Sequence, residues 1–374
     1  MTADVYQRLA RHLDQLPGGF PPTQTGVELR ILERLFTPAE AELALRLTLI
    51  PERAAVVARR AGMDEAQALA MLSEMALKGL ILETSRPGRP PRFMALHFVV
   101  GIWEFQVNRL TPELVRDVDE YFATLFDPQI WQKAPQLRTI PVGEALAAPS
   151  EVLLYENAEA MLRRGARFAV TPCICRQERQ LAGEGCGKPL ETCLSLDGAA
   201  DGAIRQGRGR AITLEEALHI LQSANCAGLV LQPGNSKDAQ YFCCCCGDCC
   251  GVLRNVKRHP QPGRLISSAF YAVSAAALCS GCGECLERCQ MDAISLAEGW
   301  AAVDRERCIG CGLCVTTCPS GALRLERKPA AELPHVPDNS LMMYLQLARA
   351  RGVLGPSEIA RTALQSGIDR LRAK

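Results

Sequence analysis

The chain lacks long apolar runs. Nowhere in its 374 residues do eighteen uncharged apolar residues follow one another, so a membrane-spanning helix is not expected. The first twenty residues, MTADVYQRLARHLDQLPGGF, carry charges throughout and hold no apolar segment; a secretory signal is therefore not expected, and a soluble cytoplasmic protein is. A surplus of one charge is also missing. Forty-two basic and forty-one acidic side chains leave a formal net charge of +1, whereas a polyanion binder carries a strongly basic domain, so nucleic acid is not an expected partner. There is no dinucleotide-binding glycine fingerprint, no phosphate loop and no nucleophile paired with a base, so nothing points to a substrate of the chain's own and no catalytic residue is assigned.

Cysteine, by contrast, is abundant: there are nineteen. In a reducing compartment thiols stay free, and an odd number argues the same way, so metal binding is the default reading rather than a disulfide framework. The +1 count treats every thiol as neutral. Two cubane clusters on thiolates, each carrying about −2, would bring the loaded chain to about −3.

Residues 279–289 read CSGCGECLERC and residues 308–319 read CIGCGLCVTTCP. Both are CxxCxxCxxxC, and the second ends in proline. Two residues between thiols let three sulfurs converge on one cube, while the fourth points to another cube. Gly281, Gly283, Gly310 and Gly312 suit a backbone wrapped tightly around a cluster with its amides aimed at sulfur. The repeat resembles the bacterial 2(4Fe-4S) ferredoxin module over about residues 276–327. The resemblance implies that Cys279, Cys282, Cys285 and Cys318 hold one 4Fe-4S cluster and that Cys308, Cys311, Cys314 and Cys289 hold a second. Gln290 departs from the pattern, standing where the first half usually has proline. DAISLAEGWAAVD and GALRLE are expected to supply the short strands that pair in this fold.

Eleven further cysteines lie upstream. Cys173 and Cys175 form a CxC pair, which in extended chain points both thiols the same way, toward a single metal. Cys186 and Cys193, in loops, complete a possible set of four. The run YFCCCCGDCCG, residues 241–251, cannot bring all six of its thiols to one cube, so only some are ligands, and spacing does not decide which. Candidate metal ligands are Cys173, Cys175, Cys186, Cys193, Cys243, Cys245, Cys246, Cys249 and Cys250, for one or two further iron-sulfur clusters, with zinc as the alternative. Asp248 reads as a turn residue or as an oxygen ligand. Cys226, in the helical pattern TLEEALHILQSANCAGLVL, is expected to be a buried apolar side chain. The order CICR, CGKPLETCLS, then a CC-rich run ending in CCG is similar to ferredoxin-type 4Fe-4S proteins of anaerobic and facultative bacteria, which share this central domain, a two-cluster module behind it and a helical N-terminal part. That resemblance implies iron-sulfur binding and electron transfer.

The N-terminal third reads as helices followed by a two-stranded wing. Thr37, Pro38 and Glu40 predict a capped helix start. A second helix, capped by Asp64, is expected to turn Leu69, Leu72 and Met75 inward and to stop at Gly79. ILET and RFMALH are candidate strands around SRPGRPP. This is the winged-helix plan, but its candidate recognition helix carries Asp64, Glu65 and Glu74 with only Gln67 and Lys78 in support. Arg86, Arg89 and Arg92 in the wing are balanced over residues 27–96 by a count of ten basic and nine acidic side chains. A docking or structural use is therefore expected in place of transcriptional control. HFVVGIWEF reads as an apolar strand-like run before a helix starting at Thr111-Pro112. Residues 127–150, with four prolines, read as a linker. Two amphipathic helices are expected at the end of the chain, with Met342, Met343, Leu345 and Leu347 placed to pack on the protein's own core or to meet a partner or membrane surface.

The expected fold is α+β and multidomain: a winged-helix-like domain (1–100), a helical extension and linker (101–165), a cysteine-rich metal-cluster domain (166–265), a dicluster ferredoxin domain (266–327) and a helical tail (328–374). The expected function is an electron relay through two 4Fe-4S clusters and one or two central clusters to a redox partner protein or oxidoreductase complex. Two other readings stay open: a redox-sensing winged-helix regulator, and a reductase whose central cluster has an open iron.

Overall fold

The computed structural model describes residues 2–86, 88–145, 153–353 and 355–373. The backbone falls into two units, each assembled from separate stretches of chain: residues 1–125, 202–208 and 344–374 make the first, and residues 126–201 and 209–343 the second.

The first unit begins with helices Thr2–Asp14, Val27–Leu35, Pro38–Ala44, Ala54–Ala61 and Glu65–Leu77. The Thr37 hydroxyl accepts from the Glu40 N–H while the Glu40 carboxylate accepts from the Thr37 N–H, so the capping box forms as the sequence predicts. Asp64 caps the next helix, accepting from the amides of Ala66 and Gln67. Leu72 and Met75 are buried. Leu69, expected inward, is 38% exposed; the buried stripe of this helix runs through Ala68 instead. Strands β1 (Leu82–Arg86) and β2 (Arg89–Met94) then pair antiparallel.

The apolar run after β2 is not a strand. Ile102 N–H donates to His97 O at 2.8 Å and Trp103 N–H to Phe98 O at 2.9 Å, closing wide local turns that bury Phe98, Ile102 and Trp103. With its amides satisfied locally, the segment needs no strand partner, and an apolar run does not by itself tell the two outcomes apart. Helix Pro112–Leu125 follows, and the rings of Phe20, Phe98 and Tyr121 pack within 6 Å of one another, the closest centroids at 4.9 Å. Helices Ser340–Arg351 and Pro356–Arg372 end the chain. Met343 and Leu347 are buried whereas Met342 is half-exposed, so only part of the expected stripe meets core. Tyr344 stacks on His97 with ring centroids 4.3 Å apart.

In the second unit β3 (Phe168–Pro172), β4 (Glu191–Leu196), β5 (Arg210–Ile212), β6 (Val230–Pro233) and β7 (Tyr241–Cys245) form one antiparallel sheet in the order β5-β3-β4-β7-β6. Of the segment expected as a linker, residues 127–145 are built into this unit and 146–150 lie outside the described residues: after helix Pro128–Lys133, Leu137 bridges to Gly234, Arg138 to Ser267 and Ile140 to Leu231, all three bridging residues of the segment being buried. Downstream, β8 (Phe270–Ser274) pairs with β11 (Leu323–Arg327), and β9 (Ile294–Ala297) with β10 (Trp300–Val303). GALRLE therefore pairs with a strand ahead of the first cysteine motif, and DAISLAEGWAAVD pairs with itself.

Candidate metal centres

Two cavities lie among β8 to β11. Cys279, Cys282, Cys285 and Cys318 line one. Cys289, Cys308, Cys311 and Cys314 line the other. The two back onto one small apolar core in which Cys285 and Cys314 join Ala272, Ala301 and Leu323. The local sequence explains the wrap. All four motif glycines have positive φ, and at Gly310 a Cβ would stand 2.2 Å from the Phe270 carbonyl oxygen. Backbone amides point at sulfur: Ala272 N–H donates to Cys308 Sγ at 3.3 Å, Ala293 N–H to Cys289 Sγ at 3.2 Å and Ala301 N–H to Cys279 Sγ at 3.4 Å. Burial pushes Cys311 up to about 12 and Cys314 well above the ordinary thiol value. A buried thiol of that kind is a poor free acid, and a metal that takes the proton's place offsets the penalty. The tight glycine backbone, the amide donors and the four-and-four division of thiols fit a pair of anionic clusters.

The central cysteines fall into two groups. In the first, side chains alternate along β7, so Cys243 and Cys245 share a face, and Cys193 of β4 stands directly across from Cys243. Thiol contacts run from Cys193 to Cys243, on to Cys245 and Cys250, then to Cys175 and Cys173. The CxC pair is not extended. Cys173 is the N-cap of helix Ile174–Leu181 and Cys175 lies in its first turn, and the two sulfurs still meet because the capping residue leans over the helix start. Cys250 is likewise the N-cap of helix Gly251–Arg258. Neither sulfur makes a cap hydrogen bond, but the amides at the two helix starts, Arg176 for Cys173 and Val252 with Leu253 for Cys250, face the capping thiols and favour their charged form. Hydrogen bonds from neighbouring thiols, with these amides, hold Cys173 and Cys250 low; Cys193 chiefly does the same for Cys243. Cys175 and Cys245, the donors in those contacts, are pushed up.

Cys186, Cys246 and Cys249 form the second group, with every pair of sulfurs within 4.8 Å. Between the two groups lies Arg176, 2% exposed. Its guanidinium donates to the Cys244 carbonyl at 3.1 Å, to the Thr192 hydroxyl and to Cys246, and its charge faces Cys173 and Cys245. Its Nε–H is buried and has no acceptor among the described residues. A buried cation with an unused donor, set against the thiols of Cys173, Cys245 and Cys246, fits an anionic cofactor.

Two cysteines of the central region belong to neither group. Cys244 faces the other side of β7, is buried, and is pushed up to about 12 by that burial. Cys226, expected to be buried, is exposed at the last turn of helix Leu214–Cys226; its carbonyl accepts from Arg288 at 2.9 Å, so backbone rather than thiol is engaged. Asp248 lies at an exposed turn, 3.8 Å from Lys188, and is not among the residues gathered with the three thiols.

The run and the ferredoxin-like part touch through a residue that breaks the cysteine pattern. Gly247 N–H donates to Gln290 Oε1 at 2.7 Å in a buried contact, and a Cβ on Gly247 would stand 2.4 Å from the Gln290 carbonyl oxygen. Proline at position 290 would offer no such acceptor. Since Gly247 follows Cys246 and Gln290 follows Cys289, one backbone-to-side-chain hydrogen bond ties two thiol sites together. The glutamine alone signalled it, and only as an unexplained exception.

A family model described as a 4Fe-4S dicluster domain matches residues 278–328. Comparison with curated proteins and with solved structures gives no match. The matched segment contains all eight cysteines that line the two cavities, so this part of the chain is an iron-sulfur domain, and a domain of this kind points to iron-sulfur electron transfer. No helix among the described residues is long and apolar enough to cross a membrane.

Proposed function

We propose that the protein relays electrons through three iron-sulfur clusters to a partner oxidoreductase. Cys279, Cys282, Cys285 and Cys318 would hold one 4Fe-4S cluster, Cys289, Cys308, Cys311 and Cys314 a second, and the ring of Cys173, Cys175, Cys193, Cys243, Cys245 and Cys250 a third. The reading is carried by the division of eight motif thiols into two cavities that share one core. When bound, the clusters supply one-electron chemistry. The chain sets its conditions: the amides of Ala272, Ala293 and Ala301 donate to ligand sulfurs, burial keeps water away, and Arg176 offsets charge beside the central ring.

We also read the first unit's helices and two-stranded sheet as a winged-helix-like module that docks a protein. Helix Glu65–Leu77 presents Glu65, Leu69, Glu74 and Leu77 to solvent, a mixed acidic and apolar face ill suited to DNA phosphate.

The test is iron and sulfide content of anaerobically purified protein, with a redox titration. Wild type is expected to carry about twelve irons, and Cys285→Ser, Cys314→Ser and Cys243→Ser each to lose about four. About eight irons, indifferent to Cys243→Ser, would remove the central cluster from the relay.

A further inference from the structure

Among the described residues, only Cys186, Cys246 and Cys249 bring every ligand atom of a metal-binding group within 4.8 Å of the others. The Sγ atoms of Cys186 and Cys246 stand 3.8 Å apart. Four thiolates on one tetrahedral ion, with metal–sulfur bonds of about 2.3 Å, stand about 3.8 Å from one another. A cube carries each thiolate outward on a different iron, so its ligands stand wider, as the two quartets around their cavities do. All three thiols meet one another, as the ligands of a single ion do, whereas among the described residues no three thiols of the larger ring are gathered in that way.

Their backbone agrees. Cys246 and Cys249 are a CxxC pair folded into a tight turn, with the Cys249 amide facing the Cys246 thiol and the Lys188 amide facing that of Cys186. Gly247 must lack a side chain because the Gln290 backbone closes over it. The Arg176 charge faces both Cys246 of the three and Cys173 and Cys245 of the larger ring. No fourth cysteine, histidine or carboxylate joins the group among the described residues. Cys246 and Cys249 are buried, while Cys186 is partly exposed, which leaves one side open.

We infer that Cys186, Cys246 and Cys249 hold one tetrahedral divalent ion, separate from any cluster, with the fourth position left to a ligand from solvent. Three thiolates select a borderline-soft ion, and zinc binds such a set more tightly than iron(II) in the ordinary affinity order, so zinc is the ion expected. Zinc neither gives nor takes electrons here. It pins the loop 246–249 against Gln290, and its open position is available to a thiolate or water.

The test uses the full chain purified anaerobically without added metal. Wild type is expected to hold one zinc per chain beyond its iron, and Cys186→Ser and Cys249→Ser to lose that zinc while keeping their iron and sulfide. X-ray absorption at the zinc edge should show three sulfurs at about 2.3 Å and one lighter atom. This measurement on wild type decides the matter even where a variant fails to fold. Absence of zinc, zinc with any other ligand count, or loss of about four irons instead of zinc in the two variants would each overturn the inference. The relay reading stands or falls separately, on the iron lost with Cys243→Ser.

Discussion

Gln290 and His97 show how single side chains carry structural weight that spacing does not reveal. Replacing Gln290 by alanine leaves the buried Gly247 N–H without its acceptor; we expect a loss of about 1–3 kcal/mol in denaturant unfolding with iron content unchanged. His97 is buried against Tyr344 and accepts from the Gly18 N–H at 3.3 Å. Burial, with the nearby Arg351 charge, pushes it from 6.5 down to about 4. The unfolded chain then binds the proton more readily than the folded one, so stability falls as pH drops from 6.5 toward 4, by about 3 kcal/mol in all, and levels off below. His97→Asn keeps an acceptor without the titration, and its melting temperature should lose less than wild type's between pH 7 and pH 4.5. At this scale the motif cysteines were legible because metal chemistry dictates their spacing. The roles of Gln290 and His97 were not, because each is defined by a partner 43 or more positions away in the chain.

Turns and caps set the elements around the cavities. Gly310 and Gly321 share nearly the same left-handed backbone, at φ +66° and +65°, but the first lies against Phe270 and the second faces open space. Alanine at Gly321 should cost about 1–2 kcal/mol in a thermal melt and leave iron content intact. Alanine at Gly310 adds a backbone clash to the same strain, and its protein should come out short of about four irons. Element by element, what could be read ahead of the structure was what local chemistry decides: the Thr37 and Asp64 caps and the β1–β2 hairpin. Residues 98–106 and the CxC pair were misread because their outcome depends on where the surrounding core accepts them. An apolar run buried on every side satisfies strand and turn equally, and a thiol at a helix start reaches its neighbour as well as one in extended chain.

For the molecule as a whole, charge is the quantity that loading changes most. The formal +1 counts thiols as neutral, and each thiolate-bound cluster adds about −2. Native isoelectric focusing under anaerobic conditions should place the loaded protein below the apo chain, with a step for each cluster removed by chelation; superposed bands would mean that the charge is compensated elsewhere. The two units also interleave along the chain, and this bears on the order of synthesis. His97 receives its stacking partner from Tyr344, and Glu52 receives the hydroxyl of Ser366 at 2.5 Å, so residues 52 and 97 wait for partners translated about 250 to 310 residues later. The first unit stays incomplete throughout the translation of every cysteine in the chain. A nascent protein would therefore gather its metal-binding segments before its opening helices are finished, and truncation after Met343 would unsettle the beginning of the chain while sparing all nineteen thiols.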